Sequence, residues 1–203
     1  MGFYQDRIVP VLISAAMNNQ LPDPFRQRVV GAASGRVLEI GVGAGANLPF
    51  YTDRATEVFA LDPSSQLLAR ARKLISDRPP VELIEAGAER IPLEDASIDT
   101  LVMTWTACSI PDVAAALGEM RRVLKPAGRL LFVEHGRSPQ PRVAKWQDRI
   151  DPLWRHISGG CHLGRKIDSE LVDAGFAINE LWTGYIPGPK IMAFFYEGVA
   201  TPR

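Results

Sequence analysis

The sequence predicts an α/β fold, a doubly wound and mostly parallel seven-stranded sheet that ends in an antiparallel hairpin. Short apolar runs alternate along the chain with segments of helical periodicity, which is typical of parallel strands joined by helices. A glycine-rich loop from Gly41 to Gly45 directly follows the first of these runs. The last two runs are joined by a short loop, residues 186–189, so we expect them to pair as antiparallel neighbours.

The predicted strands are short runs of apolar and β-branched residues. The centre of the fourth run, from Leu101 to Met103, is apolar throughout, as expected for a strand buried on both faces. The seven runs span residues 36–40, 58–61, 81–85, 99–104, 129–134, 177–185 and 191–198.

The predicted helices lie between these strands and have recognisable ends. Ser64 or Ser65 can cap the helix after the second strand, and Gly175 provides a C-terminal stop for the last helix. Pro152 is expected to interrupt or bend the helix that contains it. Besides the capped helix and a short one after the glycine loop, the predicted helices span residues 113–124, 146–157 and 166–174.

The chain as a whole has the composition of an ordinary globular protein. Hydrophobic residues make up 46% and charged residues 23% of its 203 residues. We expect one domain over residues 1–203, in which residues 1–30 form an N-terminal helical cap. Lys plus Arg and Asp plus Glu both number 23, so the formal net charge is zero, which argues against a nucleic-acid partner. No feature of the sequence indicates an oligomeric state.

The two cysteines and the N-terminal segment bear on the cellular location. Cys108 and Cys161 occur without a secretory signal, which favours a cytoplasmic protein with reduced thiols. The apolar segment 8–17 is interrupted by Pro10 and is too short to span a bilayer. We expect this segment to pack on its own domain, with a weak membrane-surface contact as the alternative.

The glycine loop predicts a site for an adenosine-containing cofactor. Gly41, Gly43 and Ala46 satisfy the glycine pattern of dinucleotide-binding loops, and Asp62 ends the second strand, where an acid can accept hydrogen bonds from two ribose hydroxyls. Glu39, however, lies just before the loop, and no Lys or Arg occurs between Glu39 and Asp53 to offset its charge against a pyrophosphate.

A carboxylate at this loop favours a cofactor that carries positive charge and no phosphate. S-adenosylmethionine has a sulfonium and an α-ammonium group, so Glu39 could accept from the ammonium directly or through ordered water. The alternative is that Glu39 caps the amides of the loop itself. The sequence thus favours S-adenosylmethionine over NAD, and Ala88 with Glu89, after the third strand, is placed to meet adenine.

With these motifs the sequence resembles the class I S-adenosylmethionine-dependent methyltransferases. The resemblance runs through residues 37–45, 61–63, 88–92 and 121–128, where Ala127 replaces a usual glycine and Gly128 remains for the turn. It implies a Rossmann-like fold, S-adenosyl-L-methionine as methyl donor and S-adenosyl-L-homocysteine as product. The cofactor-binding residues that it implies are Glu39, Gly41, Gly43, Asn47, Asp62, Pro63, Ala88, Glu89 and Thr104.

Beyond the cofactor motifs, the chain is similar to a narrower group of thiol S-methyltransferases. The similarity rests on Cys108-Ser109, Glu134-His135, Asp151-Pro152 with Trp154, and Gly160-Cys161 with Leu163. It implies a small acceptor, a thiol or sulfide sulfur. The acceptor-binding residues expected from these segments are Cys108, Trp154, Cys161 and their neighbour His162, and Tyr4 near the N-terminus could cover the site.

His135 is the candidate catalytic base. It ends the fifth strand beside the cofactor loop, and an imidazole titrates close to neutrality, below the thiol pKa of about 8.5. The alternative is a structural histidine bonded to a loop carbonyl. Glu134 either orients His135 or faces solvent. No metal is expected, because the sequence contains neither C-x-x-C nor H-x-x-x-H spacing.

Three other functions remain open from the sequence. The first is a methyltransferase that acts on a phospholipid amine or a quinone at a membrane surface. The second is an NAD-dependent oxidoreductase, which Glu39 disfavours. The third is a noncatalytic cofactor-binding module that works through a protein partner.

Overall fold

The computed structural model describes residues 22–203 of the chain. Tyr4, the apolar segment 8–17 and most of the expected N-terminal cap lie outside the described residues. Because the single-domain organisation over residues 1–203 includes that segment, it stays a prediction. No helix within residues 22–203 is long and apolar enough to cross a lipid bilayer.

The described residues form one seven-stranded sheet, which confirms the predicted fold class. Its strands are β1 (Gly35–Ile40), β2 (Ala55–Asp62), β3 (Val81–Glu85), β4 (Ile98–Thr104), β5 (Leu124–His135), β6 (Phe176–Tyr185) and β7 (Phe194–Pro202). Their order is β3-β2-β1-β4-β5-β7-β6. Strand β7 is antiparallel to both β5 and β6, and the remaining neighbours are parallel. The predicted C-terminal hairpin is therefore present.

Five α-helices within residues 22–203 connect these strands or flank them. They are α1 (Asp23–Val29), α2 (Ser65–Ala71), α3 (Val113–Val123), α4 (Pro141–Ile157) and α5 (Ile167–Asp173). The hydroxyl of Ser64 caps α2 by accepting from the amide of Leu67 at 3.3 Å. The expected interruption at Pro152 is wrong, since α4 continues through it. This helix also begins earlier than predicted, because Pro141 suits the first helical turn, where a missing N–H costs nothing.

Strand β5 begins five residues before its predicted start. Its pairing with β4 shifts between Ile98–Leu124 and Thr100–Arg129, so three extra residues bulge out of β5 there. The bulge contains Pro126 and Gly128, which follow the predicted helix 113–124. The helix ends at Val123, and the chain enters β5 at once, with no loop between the two elements.

The sheet is buried on both faces and exposes its carboxyl edge at the centre. Alternate residues of β1 enter opposite cores, with Leu38 in one apolar cluster and Val37 in the other. The strand order reverses between β1 and β4, and ligands of doubly wound sheets bind beyond the strand ends at this switch point. A ligand is therefore expected at the loops that follow β1, β2, β4 and β5.

Candidate active site

The glycine loop after β1 is hydrogen-bonded to the end of β2. The amides of Gly41 and Val42 donate to the carbonyl of Leu61 at 2.8 and 3.0 Å. Gly43 has a φ of +55°, and a Cβ there would meet no heavy atom closer than 4.0 Å. The backbone of Gly43 therefore faces open space, which a cofactor can approach closely.

Asp62 joins this loop to the helix that follows β2. Its Oδ2 accepts from the amide of Gly43 at 2.9 Å and its Oδ1 from the amide of Ser64 at 2.8 Å. Burial raises the pKa of Asp62, and the two amide hydrogen bonds oppose that rise. A carboxylate offers about four acceptor positions, so two remain for the ribose hydroxyls that were predicted to bind here.

Glu39 is buried behind the loop, with 1% of its surface exposed. Its Oε1 accepts from the side-chain amide of Asn47 at 2.9 Å, and its Oε2 accepts from the hydroxyl of Tyr51 at 2.8 Å. The amides of Gly41, Val42 and Gly43 bond instead to Leu61 and Asp62, so they are not the groups that hold Glu39. Burial raises the pKa of Glu39 to about 7.

Asn47 links three elements around Glu39. Its Nδ2 also donates to Oγ1 of Thr104 at 2.8 Å, and its Oδ1 accepts from Nε of Arg26 at 3.1 Å. Three predicted cofactor residues, Glu39, Asn47 and Thr104, thus form one hydrogen-bonded group. Arg26 and Tyr51 complete it, and no local sequence pattern marked either of them.

The remaining predicted cofactor residues lie at the same edge of the sheet. Pro63 is exposed at the end of β2, next to Asp62, and Ala88 is buried in the loop after β3. Oε1 of Glu89 accepts from the amide of Asp112 at 3.4 Å, which connects this loop to the start of α3. Contact of Ala88 and Glu89 with adenine stays a prediction.

Three of the predicted acceptor-side residues converge at the ends of β4 and β5. Cys108 lies in the turn Ala107–Ser109 after β4, His135 ends β5, and Cys161 lies in the loop between α4 and α5. Nε2 of His135 is 3.1 Å from Sγ of Cys161, and these two atoms and Sγ of Cys108 all lie within 4.8 Å of one another. We call these three residues the Cys–His cluster.

The loop that carries Cys161 is fixed by hydrogen bonds of its neighbours. The amide of His162 donates to the carbonyl of Cys108 at 2.8 Å, and the amide of Leu163 donates to Asp151 at 2.6 Å. The His162 ring lies 3.4 Å from Asp151 and is about a third exposed. Both Asp151 and His162 line a cavity of about 750 Å³. The residues of the Cys–His cluster are not among those that line it, although His162 follows Cys161 directly in the chain.

Trp154 lies in α4, upstream of the same loop. Its carbonyl accepts from the amide of Ser158, where the helix ends. Its indole N–H is buried and has no hydrogen-bond partner among residues 22–203. A role of Trp154 in binding the methyl acceptor stays a prediction.

The side chain of Glu134 anchors the turn that contains Cys108. It is fully buried and does not face solvent; its Oε1 accepts from the amides of Thr106 and Ala107 at 2.8 and 3.0 Å. Burial raises its pKa to about 7 against these hydrogen bonds. Glu134 therefore positions the turn that follows β4.

The short distances within the cluster shift the pKa values of Cys161 and His135. A hydrogen bond with Cys108 and burial raise the pKa of the Cys161 thiol, so this thiol is protonated at neutral pH. Burial lowers the pKa of His135, but the hydrogen bond with Cys161 and the nearby carboxylates of Glu134 and Asp151 outweigh it, so the pKa is raised. Nδ1 of His135 is buried without a hydrogen-bond partner among the described residues, unlike a structural histidine bonded to a carbonyl.

Comparison with known proteins identifies the family. Residues 38–132 match the model of a methyltransferase domain. Thiol S-methyltransferase TMT1B of Rattus norvegicus is 34% identical over 167 residues, which cover 77% of this chain and 68% of the relative. Phosphatidylethanolamine N-methyltransferase of Cereibacter sphaeroides is 36% identical over 109 residues, 52% of this chain and 53% of the relative.

A solved structure has the same fold. A SAM-dependent methyltransferase from Aquifex aeolicus superposes with a TM-score of 0.67 at 19% sequence identity, covering 96% of this chain and 98% of the other. The chain belongs to the class I S-adenosylmethionine-dependent methyltransferases, and its cofactor is S-adenosylmethionine.

Proposed function

We propose that this methyltransferase acts on a small thiol or sulfide, which it binds beside Cys108, His135 and Cys161. The observation that carries the proposal is the convergence of these three residues at the sheet edge next to the glycine loop. They belong to the segments on which the similarity to thiol S-methyltransferases rests, and the rat relative of that name matches 77% of the chain.

The residues around the glycine loop fit the cofactor. The backbone of Gly43 borders open space, and Asp62 offers a carboxylate at the end of β2. No Lys or Arg between Glu39 and Asp53 could neutralise a pyrophosphate, whereas a cationic cofactor needs none. The bound cofactor supplies an electrophilic methyl group on a sulfonium sulfur. We propose that Asp62 holds the ribose, Ala88 and Glu89 border the adenine, and Glu39 supports the loop from behind through Asn47.

His135 has the task of increasing the thiolate fraction of the acceptor. A neutral imidazole can take the thiol proton, and an imidazolium can stabilise the thiolate by charge. Little further machinery is needed, because a thiolate attacks the methyl group of a sulfonium directly once both are held in line in a pocket that excludes water. The positioning falls to the turn that Glu134 anchors and to the loop that Asp151 fixes.

A methyl-transfer screen tests this proposal. Purified protein is incubated with S-adenosylmethionine and sulfide, alkyl thiols, amines, phenols or phosphatidylethanolamine, and formation of S-adenosylhomocysteine is measured. Thiols or sulfide should give the highest kcat/KM. Preference for any other acceptor class would reject the thiol assignment while leaving the methyltransferase family unaffected.

A second candidate function is methylation of a phospholipid amine or quinone at a membrane surface. One face of α4 exposes apolar side chains, with Trp146 56% and Leu153 70% exposed, and Lys145 and Arg149 lie close by in sequence. A helix with exposed apolar and basic groups can lie on an anionic bilayer. Binding to anionic vesicles that is lost in a Trp146→Ser, Leu153→Ser double variant would favour this candidate. A cytoplasmic location stays a prediction under either function.

A further inference from the structure

The Cys–His cluster has the composition of a transition-metal site. Two cysteine sulfurs and one imidazole nitrogen, from three segments far apart in sequence, lie within 4.8 Å of one another. Thiolate and imidazole are the ligands that Zn²⁺ prefers in proteins. The sequence-based expectation of no metal rested on local ligand spacing, which cannot detect ligands that only the fold brings together.

One ligand pair lies close to tetrahedral spacing, and the sulfur of Cys108 lies within 4.8 Å of both other ligand atoms. Zinc–sulfur bonds of about 2.3 Å and zinc–nitrogen bonds of about 2.0–2.1 Å place ligand atoms about 3.5–3.8 Å apart. The nitrogen of His135 and the sulfur of Cys161 are 3.1 Å apart, so they need to separate by only about half an ångström. Each ligand occupies a fixed position. Cys108 lies in the turn that Glu134 anchors, and His135 ends β5. The loop of Cys161 is hydrogen-bonded to Cys108 through the amide of His162.

We infer that Cys108, His135 and Cys161 bind one Zn²⁺ ion, and that the acceptor thiol occupies its fourth coordination position. Zinc sites with three protein ligands keep one position open for water or substrate, whereas structural sites are closed by four. Only the identity of the fourth ligand rests on the proposed function; the three-residue metal site does not.

The chemistry balances without a further reactant. Binding of the ion releases the two cysteine protons, and coordination of the acceptor thiol releases its proton to solvent. The new carbon–sulfur bond then forms as the sulfonium carbon–sulfur bond breaks. The methylated acceptor is a neutral thioether, a weak ligand, and leaves the ion. In the metal-bound protein Nε2 of His135 is a zinc ligand and cannot also take the thiol proton. Metal coordination therefore replaces proton transfer to His135 as the way in which the acceptor thiolate forms.

Metal binding can be measured without activity. The full chain is dialysed against a chelator under reducing conditions and titrated with Zn²⁺ against a chromophoric indicator, and with Co²⁺ followed by sulfur-to-cobalt absorption. We expect one ion per chain. Cys108→Ser, Cys161→Ser and His135→Gln should each weaken Zn²⁺ binding by a factor on the order of 100 or more, since each removes one of three ligands. His156→Gln, which changes an exposed imidazole of α4, is the matched control and should bind like the wild type.

The outcomes separate the metal site from the acceptor. Retained S-adenosylhomocysteine binding shows that each variant is folded. Absence of stoichiometric Zn²⁺ binding, or equal binding by the wild type and all three cluster variants, would overturn the site. Equal thiol methylation by the chelated and Zn²⁺-loaded protein would overturn the role of the fourth position. Stoichiometric binding lost in the cluster variants supports the site even if no thiol is methylated, in which case only the proposed function fails.

Discussion

Nε2 of His135 lies 3.1 Å from Sγ of Cys161, although 26 residues separate them in the chain. The contact joins the end of a central strand to a loop that follows a 17-residue helix. It puts the one predicted catalytic side chain against a predicted acceptor-binding residue, next to Cys108. The proposed acceptor site is therefore assembled by tertiary structure.

Replacing His135 should slow thiol methylation most at low pH. In metal-free protein, His135→Ala should cost roughly 10–100-fold at pH 6.5, where an acceptor thiol with a pKa of about 8.5 is mostly protonated. The loss should shrink to a few-fold near pH 9, because thiolate then forms without help. The measurement is kcat/KM against pH with an alkyl thiol. A uniform loss across this range would demote His135 to a structural role.

Replacing Asp62 should remove cofactor binding. Asp62→Ala deletes the carboxylate that bonds the glycine loop and is placed for the ribose, so affinity for S-adenosylhomocysteine should fall by about 100-fold or more. Calorimetry measures this directly. Asp53→Ala, which changes an exposed acid in the same stretch of chain, is the control and should bind normally. Normal binding by Asp62→Ala would mean that the cofactor lies elsewhere.

Glu39 should make the free protein less stable as the pH rises. Its pKa is about 7 in the folded state against 4.5 for an unperturbed group, so the folded state binds more protons than the unfolded state between these values. Stability should then decrease from pH 4.5 to 7, by about 3 kcal/mol for this group. Glu134, with a folded pKa of about 7, acts in the same direction.

The contribution of Glu39 is isolated by Glu39→Gln. The amide keeps the shape and can accept from Asn47 while donating to the hydroxyl of Tyr51, but it does not titrate. Urea unfolding at pH 5, 6, 7 and 8 should show a shallower decrease for the variant than for the wild type. An identical pH dependence would show that Glu39 has an ordinary pKa in the folded protein.

Asn47 should be important for stability as well as for the cofactor site. Its side chain makes hydrogen bonds with Glu39, Thr104 and Arg26, so Asn47→Ala leaves buried polar atoms without partners. We expect a loss of about 2–4 kcal/mol in the free energy of unfolding. Asn179→Ala, at an exposed position of β6, should change it by less than about 0.5 kcal/mol. A loss below about 0.5 kcal/mol in the free energy of unfolding for both variants would show that the hydrogen bonds of Asn47 do not stabilise the fold.

Local sequence patterns are better at predicting the loops around the cofactor than the residues around the acceptor, for a physical reason. The glycine loop and Asp62 follow buried strands directly, and parallel strands bring their carboxyl ends together, so local motifs specify that geometry. Arg26 and Tyr51 reach Glu39 and its partner Asn47 through side-chain packing alone. The early start of β5 depends on a bulge against β4, which apolar periodicity does not reveal.

The Cys–His cluster shows the same limit. The three segments that carry it could be recognised by resemblance. Their side chains come within 4.8 Å of one another only because α4 and the loop after it place Cys161 at the end of β5. That return is fixed by single hydrogen bonds, such as the one from Leu163 to Asp151. Such contacts have no signature in residue spacing.

The most direct measurement compares acceptors that differ only in the reacting atom. Initial rates of S-adenosylhomocysteine formation are measured with an alkyl thiol and with the amine and alcohol of the same carbon chain, at pH 7.5 and equal concentration. We predict a thiol rate at least about 100-fold above the other two, because only the thiol forms an appreciable amount of a strong nucleophile at this pH. A rate with the amine or with phosphatidylethanolamine vesicles that equals or exceeds the thiol rate would contradict the proposed acceptor.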